Sequence, residues 1–255
     1  MRVRTTVVAA GVLVLCLAAA GCGPDGGEDE DKGAGRKAAA PQTPESPSTA
    51  TPGAGSSAPP AGEGRTLSEA ELAKVALTTG EVKGYEVAPL EGTDERGTEK
   101  AGTEACRPIA AIINGSPEPA PAATVFRTAT GPAEEGKDGR TIVTEILTSH
   151  PKGGAQELLR SVREAVGACA GGFRTTSEDG PSTYTEVRTL PAPEAGQESF
   201  AYQVTGDLEG VGVPLVFQLV RTGSTVVTFY AANFLGGTAP EIPAALVTAQ
   251  AAKLP

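Results

Sequence analysis

The sequence predicts an α+β domain over residues 65–255. It would hold an antiparallel sheet of about six or seven strands, helices packed mainly on one face, and one disulfide. Three observations carry this. Four segments repeat apolar residues at helical spacing, and between them lie seven short runs rich in Val, Ile, Thr and aromatics. Most consecutive runs are joined by short turns, which pairs neighbours antiparallel. Two cysteines, Cys106 and Cys169, fall on the apolar sides of two of the helical segments.

The chain begins differently. Met1-Arg2-Val3-Arg4 is a short positive segment, and the apolar run 7–20 behind it is short for a membrane span but suits the core of a signal peptide. The run ends Leu17-Ala18-Ala19-Ala20-Gly21-Cys22, small residues leading to a cysteine as in a bacterial lipobox, with Ala19 where the usual pattern carries Leu. The expectation is a signal peptide over 1–21 and acyl chains on Cys22, which anchor the protein to the outer face of a membrane. An ordinary secretory signal containing a cysteine is the plainer reading.

Residues 23–64 are Gly, Pro, Ala, Ser or Thr at 31 of 42 positions and contain no Val, Ile, Leu, Met or aromatic. Such a stretch buries too little surface to offset the entropy of ordering, so it is expected to be a disordered tether. The acidic run Glu28-Asp29-Glu30-Asp31 reads as solvated charge, since calcium needs six or more oxygens in fixed geometry.

The first helix starts at Ser68, with Glu71 three residues on and Leu67 and Leu72 placed as a hydrophobic staple; Leu72, Val75 and Ala76 give it a buried stripe to about Thr78. A second covers 104–113, with Cys106, Ile109 and Ile113 on one side and Asn114-Gly115 as its stop. Strands at 124–128 and 141–147 flank a Gly-rich turn as a hairpin. The third helix has Ala155, Leu158, Val162, Ala165 or Val166, and Cys169 on one face. Strands follow at 173–176, 183–189, 198–204, 215–221 and 226–231. A helix over 238–253 closes the chain, its Pro240 and Pro243 tolerable only near the start.

Cys16 would leave with the signal and Cys22 would carry lipid. Cys106 and Cys169 remain, an even pair in an oxidising compartment, so a structural disulfide between the second and third helices is expected. They lie too far apart in sequence for a metal site with local partners, and no metal or cofactor is expected.

The net charge of −10 removes the basic footprint that nucleic acid requires. No nucleophile elbow, P-loop, zinc-helix or dinucleotide motif occurs, and Gly206-Asp207-Leu208-Glu209-Gly210-Val211-Gly212 joins strand to strand as a turn. The single histidine, His150, precedes the third helix and reads as an exposed loop residue or cap. The acidic pairs Glu134-Glu135 and Glu178-Asp179 fall in turns as surface charge. Strands 213–220 and 226–231 are apolar on both alternation sets. The second set either packs in a core or lines a groove, and Phe217, Phe229, Tyr230 and Phe234 are the candidate ligand-binding residues.

Cys106, Cys169 and the helix 156–168 leading into Cys169, together with the lipobox and tether, resemble actinobacterial sensor-domain lipoproteins. Residues 66–255 are similar to the extracellular sensor domain of mycobacterial PknH-type kinases. That family carries a second disulfide that this chain lacks, and Val166-Gly167-Ala168 stands where the family has a Trp. The resemblance implies ligand sensing in a cleft beside the sheet, without catalysis. The expected function is therefore a membrane-anchored extracytoplasmic lipoprotein that binds a small molecule, envelope fragment or protein partner. A carrier of lipid or other hydrophobic cargo is the alternative, and an enzyme built on His150 ranks last.

Overall fold

A computed structural model describes residues 64–90, 96–133, 140–234 and 237–255. The expected signal peptide, Cys22 and the tether up to residue 63 lie outside the described residues, as do Glu134 and Glu135. In chain order the elements are α1 (Glu69–Val75), β1 (Glu86–Pro89), β2 (Lys100–Ala101), a 3-10 turn (Glu104–Cys106) running into α2 (Arg107–Ile113), β3 (Ala123–Ala133) and β4 (Arg140–Ser149). Then come α3 (Gly154–Ala168), β5 (Phe173–Ser177), β6 (Gly180–Leu190), β7 (Glu198–Leu208), β8 (Val211–Thr222), β9 (Thr225–Ala232) and α4 (Ala244–Lys253).

All strands join one antiparallel sheet in the order β1-β3-β4-β9-β8-β7-β6-β5-β2. It has nine strands, not six or seven. The two additions are the edges. β1 buries one side chain, Val87, and ends in proline, while β2 is two residues long. Backbone pairing with β3 and β5 makes them strands, so neither needs the side-chain alternation by which a strand is read from sequence.

The helices divide between the two faces rather than gathering on one. In-register neighbours Tyr202, Phe217, Tyr230 and Thr144 form a row on the face covered by α2 and α3. Arg127, Glu145 and Phe229 form a row on the opposite face, where Leu72, Ala76, Leu246 and Val247 of α1, α4 and their flanks pack. The coverage is offset: α2 and α3 lie over β5–β8, whereas α1 and α4 lie over β1, β3, β4, β9 and β8.

Local chemistry sets the joints. The Glu71 carboxylate accepts the Ser68 N–H and hydroxyl, each at 2.9 Å, and Leu67 and Leu72 share one core. The β7–β8 hairpin turns on Glu209 (φ 53°) and Gly210 (φ 85°), two positive φ values in succession that match the sheet's twist. α4 starts at Ala244, later than the pattern suggests, because Pro243 occupies its N-cap position. Cys106 and Cys169 form the disulfide, 4% and 2% exposed, with Cα atoms 6.0 Å apart.

His150 is fully buried, which corrects the expectation of an exposed residue. The segment entering the domain is bonded to the backbone and neighbours of His150: Thr66 Oγ1 donates to the His150 carbonyl (2.9 Å), Ser149 Oγ accepts the Leu67 N–H (2.7 Å), and Ser224 Oγ donates to the Arg65 carbonyl (2.6 Å). The imidazole Nε2 lies 3.0 Å from Thr148 Oγ1. Burial pushes the imidazole down to about 4, opposed by the Pro119 carbonyl.

Two predictions follow from this packing. With a single histidine in the chain, its NMR titration should show a midpoint near 4; a midpoint near 6.5 would mean an imidazole in water. Because the folded state holds the neutral ring, this site's stability is full above pH 6.5 and falls by roughly 3 kcal/mol as pH drops through 4. Second, the disulfide closes a separation of 63 residues. The Cys106→Ala/Cys169→Ala double variant should lose about 4 kcal/mol of unfolding free energy in urea melts.

Candidate functional site

The offset helices leave much of the α2/α3 face of β3 and β4 without a helix above it, and among the threonines of this half (124, 128, 130, 144 and 148) stand Phe126, Ile142 and Ile146. Phe126 on β3 and Ile146 on β4 stand directly opposite each other, and Tyr230 and Phe217 continue the floor onto β9 and β8. The C-terminal end of α2 overhangs them with Ile112 and Ile113. Together they enclose a groove of about 260 Å³, with Leu90 at one rim. Its hydrogen-bonding side chains are Thr144, Asn114 and the Tyr230 phenol. Arg96 lies over the Phe126 ring, 5.9 Å from its centroid.

An aromatic row fixes the floor. Phe200 and Tyr202 stack at 5.9 Å, Tyr202 and Phe217 at 5.1 Å, and Phe217 and Tyr230 at 5.0 Å, all near parallel. Tyr202 is fully buried beneath the helices, so the row runs from the core to the groove and ends in half-buried Tyr230. Burial raises the Tyr230 phenol to about 12, which keeps it a neutral donor and acceptor at neutral pH.

The end wall is the segment leading into β2. Asn114 Nδ2 donates to the Glu99 carbonyl (2.8 Å) and its Oδ1 accepts the Glu99 N–H (3.1 Å), a side chain imitating a strand neighbour. The Gly97 N–H donates to the Asn114 carbonyl at 3.1 Å. The Glu99 carboxylate then accepts the Tyr184 phenol (2.6 Å) and the Ser182 hydroxyl (2.9 Å). Beyond this wall a polar cavity of about 230 Å³ lies beside Lys100, where Arg107 pairs with Glu104 (2.9 Å) and Glu118 (3.0 Å).

Of the four aromatics read as ligand-binding, Phe217 and Tyr230 line the groove. Phe229 points to the opposite face and is fully buried under α1 and α4, and Phe234 is 64% exposed past the end of β9. The sequence reading missed Phe126, Ile146, Ile112 and Ile113. The signal for Phe126 and Ile146 is the β3–β4 register, which places them opposite each other on the face that Tyr230 shares. Among the described residues the groove lining offers apolar contact and the hydrogen-bonding groups of Thr144, Asn114 and Tyr230.

No family model matches the chain, and neither does any curated protein. Among solved structures, the chain is similar to the crystal structure of the extracellular domain of PknH from Mycobacterium tuberculosis. The match has 14% identity and a TM-score of 0.48, and covers 74% of this chain and 95% of that one.

Proposed function

We propose that residues 65–255 form a non-catalytic, extracytoplasmic binding module, held at a membrane by acyl chains on Cys22. Its ligand, a small molecule, envelope fragment or segment of a protein partner, lies in the groove over Phe126, Ile146, Phe217 and Tyr230. The apolar groove carries this reading, because Phe126 and Tyr230 stay half-buried in it, with Ile112, Ile113 and Ile146 around them. The groove's volume of about 260 Å³ suits one apolar moiety of a ligand whose polar part stays at the rim. A closed cavity of many hundreds of Å³ would suit bulk lipid cargo, so the carrier reading is the weaker one. The position of His150 supports a non-catalytic role, since the single imidazole is buried beside Thr148, Pro119 and Gly154 and is not among the residues lining the groove. The net charge of −10 argues against nucleic acid as a partner.

Two experiments test this reading. Native mass spectrometry of the mature chain, or binding of the apolar fluorophore anilinonaphthalene sulfonate, reports occupancy of the groove. Tyr230→Ala should weaken fluorophore binding about tenfold, through lost apolar contact and stacking, while leaving the melting temperature within a few degrees. Unchanged binding would remove the groove from the function. Separately, Cys22→Ser should move the protein from the detergent phase to the aqueous phase in Triton X-114 partition. A chain that partitions identically with and without Cys22 carries no lipid there.

A further inference from the structure

Glu145 lies at the centre of β4, on the face that α1 and α4 cover. It has no exposed surface, and neither carboxylate oxygen has a hydrogen-bond partner. Its neighbours on that face are Val143 and Leu147 along its own strand and Phe229 across on β9, all apolar and fully buried. Arg127 on β3 is its in-register partner, but the Arg127 guanidinium is turned to the Phe126 carbonyl at 2.9 Å. The layer above is tied together at the end of α1. Gln250 of α4 accepts the Leu77 N–H (2.9 Å) and donates to the Val75 carbonyl (2.8 Å). Lys253 donates to the Ala76 carbonyl (2.8 Å) and to both oxygens of Glu81 (2.7 Å).

We propose that Glu145 is a proton-operated latch for the α1/α4 layer, which its neutral carboxyl lets close on the sheet and its ionised carboxylate loosens. The charged groups that bear on it from the surrounding elements are few. β3 offers Arg127, and α4 offers Lys253, which is already held by Glu81. On α1, Glu69 and Lys74 are exposed and Glu71 pairs with Arg65 (2.7 Å); on β1, Glu86 is exposed. Burial drives the Glu145 carboxyl up to about 7, with Arg127 and Lys253 pulling against it. Above that pH the sealed carboxylate needs water or a cation. Water enters only where α1 and α4 part from the sheet. Lys253 reaches inward only by leaving the Ala76 carbonyl and Glu81, which unties α4. Both of these routes loosen the same layer, and the proton leaves to solvent; Arg127 turning from the Phe126 carbonyl to the carboxylate would answer the charge with the layer closed, and it corresponds to the overturning outcome below, α4 protection that does not change with pH.

The sign follows from linkage. A carboxyl held near 7 when closed and near 4.5 when opened to water stabilises the closed layer at low pH and progressively less as pH rises between those values and beyond. Hydrogen exchange on the full chain, corrected for intrinsic exchange rates, should show protection of the α4 amides falling about tenfold from pH 6 to pH 8. In Glu145→Gln that fall should vanish. A chain whose α4 protection does not change with pH, or a Glu145→Gln variant that keeps the full dependence, overturns the latch. If Glu145→Gln does not fold, Glu145→Leu should give the same pH-independent protection. Independently, the infrared spectrum of the unsubstituted chain should show a protonated-carboxyl stretch at pH 6 that is lost by pH 9, and its absence at pH 6 also overturns the proposal.

Discussion

Strands β8 and β9 bury apolar side chains on both faces, and the placement of every helix depends on that constraint. Phe217, Leu219 and Val226 need a layer on one side; Val220, Val227 and Phe229 need one on the other. Among the described residues, four helices, two of them only seven residues long, cannot cover both faces of nine strands. Each pair covers the central strands and one flank. The two flanks left without helices differ in character. Over β6 and β7 on the α1/α4 face, Arg188, Gln203 and Thr205 form a hydrogen-bonded chain, and Gln218 bonds Ser199. Over β3 and β4 on the other face stand Phe126 and Ile146. The first flank satisfies itself by hydrogen bonds, whereas Phe126, set among the threonines of the second, keeps part of its ring open, and this contrast is why the groove is the site to test.

The groove's wall is the least autonomous part of the domain. A helix of seven residues is marginal by itself in water, so α2 depends on what holds its ends. Cys106 ties the start to the end of α3, and Asn114 ties the finish to residues 97–99. Gly172, just past Cys169, lets the chain pass against β6. A Cβ there would stand 2.2 Å from the Tyr184 carbonyl, and φ is +87°. The disulfide, the Asn114 clamp and this close crossing place Ile112 and Ile113 over the floor. Tyr230 is fixed from below by stacking on Phe217.

What the sequence displayed was whatever a single element dictates by itself. Ser68 with Glu71, the five-position stripe from Ala155 to Cys169, and the paired apolar runs around β8 and β9 all announce themselves through periodicity or capping. What it concealed arises between elements. β2 exists because Lys100 and Ala101 pair with Thr176 and Thr175, a relation with no local trace. His150 is buried among Thr148, Pro119 and the start of α3 at Gly154, and its carbonyl is taken by Thr66, more than eighty residues earlier. Phe229 and Tyr230 are adjacent in sequence and equally aromatic, yet the pleat sends one to the core and the other to the groove. Only the register with β4 and β8 tells which face each takes.

The same geometry sets how far each part of the groove lies from the place where the chain enters the domain. Gly64 lies against the Gly223 backbone in the β8–β9 turn, and residues 65–67 are bonded to Ser224, Ser149 and His150. Tyr230 is five residues and Leu215 seven residues along their strands from that turn, or about 17 to 23 Å. Tension applied through the preceding chain is therefore taken up by side-chain hydrogen bonds at one end of β4, β8 and β9. Between that end and the groove lie the strand ladders of the central sheet. With the tether proposed above, a pull through residue 64 reaches Ser149 on β4, three residues or about 10 Å from Ile146, so the Ile146–Phe126 end of the floor is the part nearest the fastening and Tyr230 and Leu215 lie farther off.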